Sequence, residues 1–155
     1  MQTFMPYPDF EKSAACLDYR RLGKQRLEAM QILRILRGEA TSKAWANHPA
    51  VRMWRGNEAQ LWSYAVIVCR EWISRGYKDT ILKQLYELYP AYAVDLQVDV
   101  KPVWFGDNRF HGSHRSNLLR KDKAFYSKYR WPEKNDLPYF WPVSPSRVGQ
   151  RENKV

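Results

Sequence analysis

Asp18-Tyr-Arg-Arg-Leu-Gly-Lys-Gln-Arg-Leu-Glu-Ala-Met-Gln-Ile-Leu-Arg-Ile-Leu-Arg37-Gly38 is the stretch on which the fold reading turns. Asp18 has a short side-chain acceptor suited to an N-cap, and Gly38 suits a helix stop, so a helix is expected from Asp18 to about Arg37. Leu22, Ala29, Leu33 and Leu36 recur at helical spacing and define a core stripe. Arg26 falls on the same stripe. A half-buried guanidinium needs a partner, so it either pairs with an internal carboxylate such as Glu58 or Glu71, or points into a cleft.

Outward from this helix the chain keeps reading as helices. A first ordered element begins near Asp9, after the turn at Pro6 and Pro8. Asn47-His48-Pro49 opens another, with Pro49 at the first helical position, and it breaks at Gly56. A long helix follows from Asn57 to about Arg75, with Leu61, Ala65, Val68, Cys69 and Trp72 inward, and stops at Gly76. Asp79 caps a shorter helix to about Leu88, before Pro90. Residues 94–100 alternate apolar and polar as a strand would, but Pro102 and the lack of a pairing strand favour an extended connection. Helical stretches are expected again over 107–122 and 123–130. The segment Leu137-Pro-Tyr-Phe-Trp-Pro142 is expected to pack across the bundle, and Ser144 onward to form a flexible tail. The class is therefore all-α: a compact single-domain helical bundle over residues 1–143, with extended connections and a Pro- and Trp-rich C-terminal segment.

The 155 residues suffice for one core. Cys16 and Cys69 lie within apolar helical patterns, as free buried thiols of a reducing compartment do. No signal peptide or membrane span is visible, so a cytoplasmic location is expected, and a monomer. The net charge is +10, and its placement is uneven. Residues 20–55 carry nine bases against two acids and residues 109–134 carry eight against two, whereas residues 56–108 carry five against seven. Two concentrated basic segments are the footprint of a polyanion-binding face. An anionic membrane surface would also attract them, but no strong amphipathic anchor accompanies them.

Three constellations carry candidate contacts. Arg20, Arg21 and Lys24, with Gln25, form a basic ridge almost free of alternating acids, suited to successive phosphates. His48, Arg52, Trp54 and Arg55 interleave charge with a ring, as an unpaired base stacking beside its backbone requires, although Trp54 serves equally as core. His111, His114, Arg115, Ser116, Asn117, Arg120 and Lys121 concentrate donors suited to phosphate oxygens or base edges. An imidazole here could also act as general acid or base, since its pKa lies near neutrality. No metal site is expected, because the only other histidine is His48 and no Cys pair accompanies these. No phosphate-cradling Gly loop or paired-carboxylate motif is evident, and no cofactor is expected.

Leu17-Asp-Tyr-Arg-Arg-Leu-Gly-Lys-Gln-Arg26, Asn47-His-Pro-Ala-Val-Arg-Met-Trp54, Ile73-Ser-Arg-Gly-Tyr-Lys-Asp79 and Ser113-His-Arg-Ser-Asn-Leu-Leu-Arg-Lys-Asp122 together resemble the pyrimidine dimer DNA glycosylase family. The likeness covers most of residues 1–142. That family is grouped with the phage endonuclease V enzymes, to which the link is clearest at Tyr19-Arg20. The resemblance implies an all-helical domain that binds duplex DNA, displaces a base, cleaves the glycosidic bond and then cleaves the abasic strand. It also implies an N-terminal α-amine as nucleophile, a group whose intrinsic pKa of about 7.7–8.0 leaves part of it neutral near physiological pH. A carboxylate assists.

Two departures follow from the residues present. The catalytic Glu of the phage enzymes directly follows their Tyr-Arg pair, where this chain has Arg21. Gln2 is a large residue before which Met is retained, so an imine would form on Met1. Glu28 or Asp18, both near the helical face of Arg21, are the candidates to supply the carboxylate. The expected catalytic set is thus Met1, Glu28, Asp18 and His114. The DNA contacts expected are Arg20, Arg21, Lys24, Arg26, His48, Arg52, Arg55, His111, Arg115, Asn117, Arg120 and Lys121. Rival readings are a non-catalytic nucleic-acid-binding protein of the same fold and a nuclease using His111 or His114.

Overall fold

The computed structural model describes residues 1–143, and all regular structure among them is helical. The tail expected from Ser144 onward lies outside the described residues. The helices are α1 (Phe10–Cys16), α2 (Tyr19–Leu36), α3 (Pro49–Arg52), α4 (Glu58–Ser74), α5 (Ile81–Leu88), α6 (Asn108–Lys121) and α7 (Lys123–Tyr126). Two 3-10 turns, Pro90–Val94 and Ser127–Tyr129, complete the set. No helix of the described residues is long and apolar enough to cross a membrane.

The spine is α2 against α4, with α1 and α5 packed on α4. Asp18 caps α2 by accepting from the Arg21 amide, and Gly38 follows the last turn at φ +74°, a conformation in which a Cβ is strained. Leu22, Ala29 and Leu33 are fully buried, as their spacing predicts, while Leu36 is only half-buried at the helix end. Gly23 sits mid-helix despite its helix-weakening backbone, because the Trp72 ring of α4 lies over it. A Cβ there would come within 2.9 Å of two ring carbons.

Arg26 reaches neither Glu58 nor Glu71, nor a cleft. It forms an ion pair with Asp79, whose carboxylate also accepts from the Leu82 amide at 2.7 Å, and its guanidinium lies 4.5 Å from the Trp72 ring centre. The partner lies 53 residues away, beyond the reach of a periodicity argument. Residues 94–100 also depart from expectation. In place of an extended connection there is a 3-10 turn followed by tight turns, with Asp95 accepting from the Gln97 amide. Val94, Leu96 and Val100 are exposed while Val98 packs partly against the core, so the alternation marks no continuous buried face.

The least expected element is the N-terminus. Residues 2–6 run buried through the middle of the bundle instead of fraying. Lacking a strand to pair with, the segment satisfies its backbone amides with side chains. Gln2 N donates to Glu28 (3.1 Å), Thr3 N to its neighbour Gln2 (2.9 Å), Phe4 N to Gln25 (2.8 Å) and Met5 N to His114 Nδ1 (2.9 Å). The Phe4 carbonyl accepts from the Tyr64 hydroxyl (2.8 Å), and Thr3 Oγ1 from the Trp54 indole (3.0 Å).

Candidate active-site cleft

The threaded segment delivers Met1 to a cleft of about 680 Å³. One wall is α2, presenting Arg20, Arg21, Lys24 and Glu28. The other is the α6–α7 junction, presenting Lys121, Asp122 and Phe125. Gln2 and Phe4 line it from the N-terminal segment, and Tyr139 from the C-terminal one. Bases from both charged segments of the sequence therefore meet in one depression. The four bases stand against the carboxylates of Asp18, Glu28 and Asp122, so the lining is of mixed sign with the positive charge in slight excess.

Glu28 is half-buried, and its Oε2 accepts from Gln2 N and from Gln25 Nε2 (3.4 Å), so the carboxylate sits one residue from the chain's first amine. His48 caps α3 by accepting from the Ala50 amide at 3.0 Å. Burial lowers its pKa, the positive N-terminal amine lowers it further, and Glu28 opposes both. His48 thus feels the charges of the amine and of Glu28. Asp18 has a different role. Burial pushes its carboxyl upward, but hydrogen bonds from the Tyr126 hydroxyl and Arg21 outweigh this and hold it below the usual range. It is an ionised cap that anchors α7 to α2.

The histidines of α6 are core residues, which corrects the expectation of an accessible imidazole. His114 is 0% exposed, and burial, then the nearby His111 and Arg115, push its pKa down to about 3. Its Nδ1 accepts from Met5 N, so the neutral ring carries its proton on Nε2, which has no polar partner among the described residues. His111 is likewise lowered, chiefly by burial, and bridges the Met5 carbonyl (2.8 Å) and the Gly106 amide (2.9 Å). The second bond makes Nε2 an acceptor and leaves the proton on Nδ1. Neither ring reaches the cleft lining. Asn117 is also buried, donating to the Ser113 and Leu137 carbonyls (2.7 and 3.2 Å).

The arginines divide by use. Arg115 is bound to Glu133 and to the Pro6 carbonyl (2.7 Å), tying the C-terminal and N-terminal segments to α6. Arg120 donates to Asn117 and to the Asn135 carbonyl (2.9 Å), which pins the same C-terminal segment. Arg52 is half-buried in α3, and Arg55 is exposed with one N–H 3.5 Å from the Ala46 carbonyl. Neither borders the cleft, nor does Arg26. Arg20, Lys24 and Lys121 are its exposed bases, and Arg21 is shared with Asp18. Among the described residues, no three His, Cys, Asp or Glu side chains gather at metal-binding distance. Cys16 and Cys69 are free and buried, and burial raises both thiols to about 12.

Sequence reasoning missed the place of Gln2 and Tyr139 in the cleft, and put Gln25 on a phosphate-facing ridge where the structure buries it against the N-terminal segment. Only the threading of the first six residues makes the three neighbours.

The family model described as pyrimidine dimer DNA glycosylase matches residues 1–85, more than half of the chain, and the protein belongs to that family. The match takes in the N-terminal segment and the α2 wall; the α6–α7 wall lies beyond it. No curated protein and no solved structure matches the chain. The family's activity is DNA-repair glycosylase action on pyrimidine dimers, with DNA as substrate.

Proposed function

We propose that the cleft excises damaged pyrimidines from duplex DNA, with the α-amine of Met1 as nucleophile and Glu28 as the assisting carboxylate. The observation that carries this reading is the shared location of Met1, Glu28 and bases of both charged segments. The amine attacks C1′ of the damaged nucleotide, and the glycosidic electron pair leaves with the base, which takes up a proton. Loss of the amine's protons and opening of the sugar ring give an imine at C1′. Abstraction of a C2′ proton then expels the 3′ phosphate and cleaves the strand. Glu28 holds charge opposite the developing cation and accepts a proton. Asp18 is the weaker candidate, since its oxygens are already bound by Tyr126 and Arg21. Arg20, Lys24 and Lys121 hold phosphates flanking the lesion.

Borohydride reduction in the presence of abasic DNA tests the reading. The expected result is a covalent adduct, mapped to Met1 by mass spectrometry, and loss of about 10²-fold or more in its formation rate for Glu28→Gln. The presence of Arg21 where the phage enzymes carry their Glu favours a second reading, a DNA-binding protein without catalysis. Salt-sensitive binding with no adduct on any damaged duplex would establish that alternative.

A further inference from the structure

We infer that the side-chain amide of Gln2 is a specificity determinant, donating its Nε2 hydrogen to a carbonyl oxygen of the pyrimidine brought into the cleft. The inference rests on the reading of the cleft given above, and adds to it a residue that touches the base instead of the sugar.

Gln2 is only 6% exposed, yet it lines the cleft beside Met1. Its orientation is fixed. The Thr3 backbone N–H needs an acceptor and finds it in Gln2 Oε1 at 2.9 Å, which turns the amide nitrogen the other way. That nitrogen is buried and has no hydrogen-bond partner among the described residues. Buried donors are nearly always paired, so an orphan beside a ligand-sized cleft marks a group waiting for something that enters. The Tyr139 phenol shares the cleft lining and lies near enough for the Gln2 amide to favour its ionised form, so its oxygen is the one neighbour with which an entering carbonyl would compete.

The chemistry of the ligand follows from the donor. An amide nitrogen offers hydrogens and accepts none, so it suits a ring bearing carbonyl oxygens and disfavours one presenting only an amino group. Thymine-type pyrimidines, and dimers made from them, carry two such oxygens. Met1 and Gln2 are consecutive, so the amine aimed at the sugar and the amide aimed at the base move on one rigid segment. The two contacts are separable: an abasic site keeps the sugar and has no base.

Two variants and two substrates test this. Gln2→Glu keeps an acceptor for Thr3 N and removes the donor at the cost of a charge; Gln2→Met removes donor and acceptor together without adding charge. Both residues are large, so Met1 is retained, which intact-mass measurement verifies. Single-turnover excision from a thymine-dimer duplex is expected to fall about tenfold in both variants, the factor one hydrogen bond is worth. The ratio of dimer excision to abasic-site strand cleavage is expected to fall about tenfold in both variants, because the added charge or the lost Thr3 acceptor acts on both substrates whereas the lost base contact acts on one. An equal fall on both substrates, with matched thermal stability, would show that Gln2 only positions the amine and would overturn the inference. An unchanged rate of dimer excision would also overturn it. Failure of the cleft reading itself would appear separately, as absence of any adduct with the parent protein.

Discussion

Acid should loosen this protein before its carboxylates titrate, and His114 is the reason. Its neutral ring accepts the Met5 amide, and burial holds its pKa near 3 against an ordinary value of 6.5. A histidine whose folded pKa is depressed contributes stability above the unfolded value and loses it as pH falls toward the folded one. The window here opens near pH 6.5 and closes near pH 3. Between pH 6.5 and 5 the unfolded chain takes up a proton that the folded chain refuses, costing about 2 kcal/mol at about 1.4 kcal/mol per unit.

Urea unfolding at pH 7.5, 6.5, 5.5 and 5.0 measures this. The range stays above most carboxylate titrations, and His111, also lowered by burial, adds in the same direction. His114→Asn retains an acceptor near the Nδ1 position and removes the titrating ring. Its unfolding free energy is expected to be lower at pH 7.5 but to fall less steeply, with the gap to the parent narrowing by about 2 kcal/mol at pH 5. Parallel pH profiles for the two proteins would refute the reasoning. Because Met5 belongs to the segment that carries Met1, hydrogen exchange at residues 2–5 should rise in the same pH window.

The basic residues should separate into two groups. Arg20→Ala, Lys24→Ala and Lys121→Ala are each expected to reduce the slope of log binding constant against log salt by about 1, measured by fluorescence anisotropy on duplex DNA, with little change in stability. Arg26→Ala and Arg115→Ala break nearly buried ion pairs and are expected to cost roughly 3–5 kcal/mol in urea unfolding while leaving the salt slope alone. Gly23→Ala improves helix propensity by about 1 kcal/mol but drives a methyl into the Trp72 ring, so a net loss of about 1–3 kcal/mol and a shifted tryptophan emission are expected.

The sequence determined the helices. Asp9, Asp18, Pro49, Asp107 and Asp122 mark starts with short acceptors or a fixed φ, and Gly38, Gly56 and Gly76 mark stops, all through local backbone chemistry acting within a few residues. It also determined that positive charge is concentrated in two stretches, because composition along the chain is visible without a fold. Tertiary structure decided which charges are free. Arg115 reads like Arg20 and Lys24, yet it is consumed by Glu133, 18 residues distant, and Arg26, which the core stripe marks as needing a partner, finds it in Asp79, 53 residues distant. It likewise decided that His111 and His114 are internal acceptors of the N-terminal segment. A histidine three residues from another looks the same in sequence whether its helix face meets water or protein. The cleft depends on the first six residues entering the core, and no local pattern encodes that course. Its cause is a set of long-range hydrogen bonds, from Glu28, Gln25, Tyr64 and His114, that form only once α2, α4 and α6 stand around it.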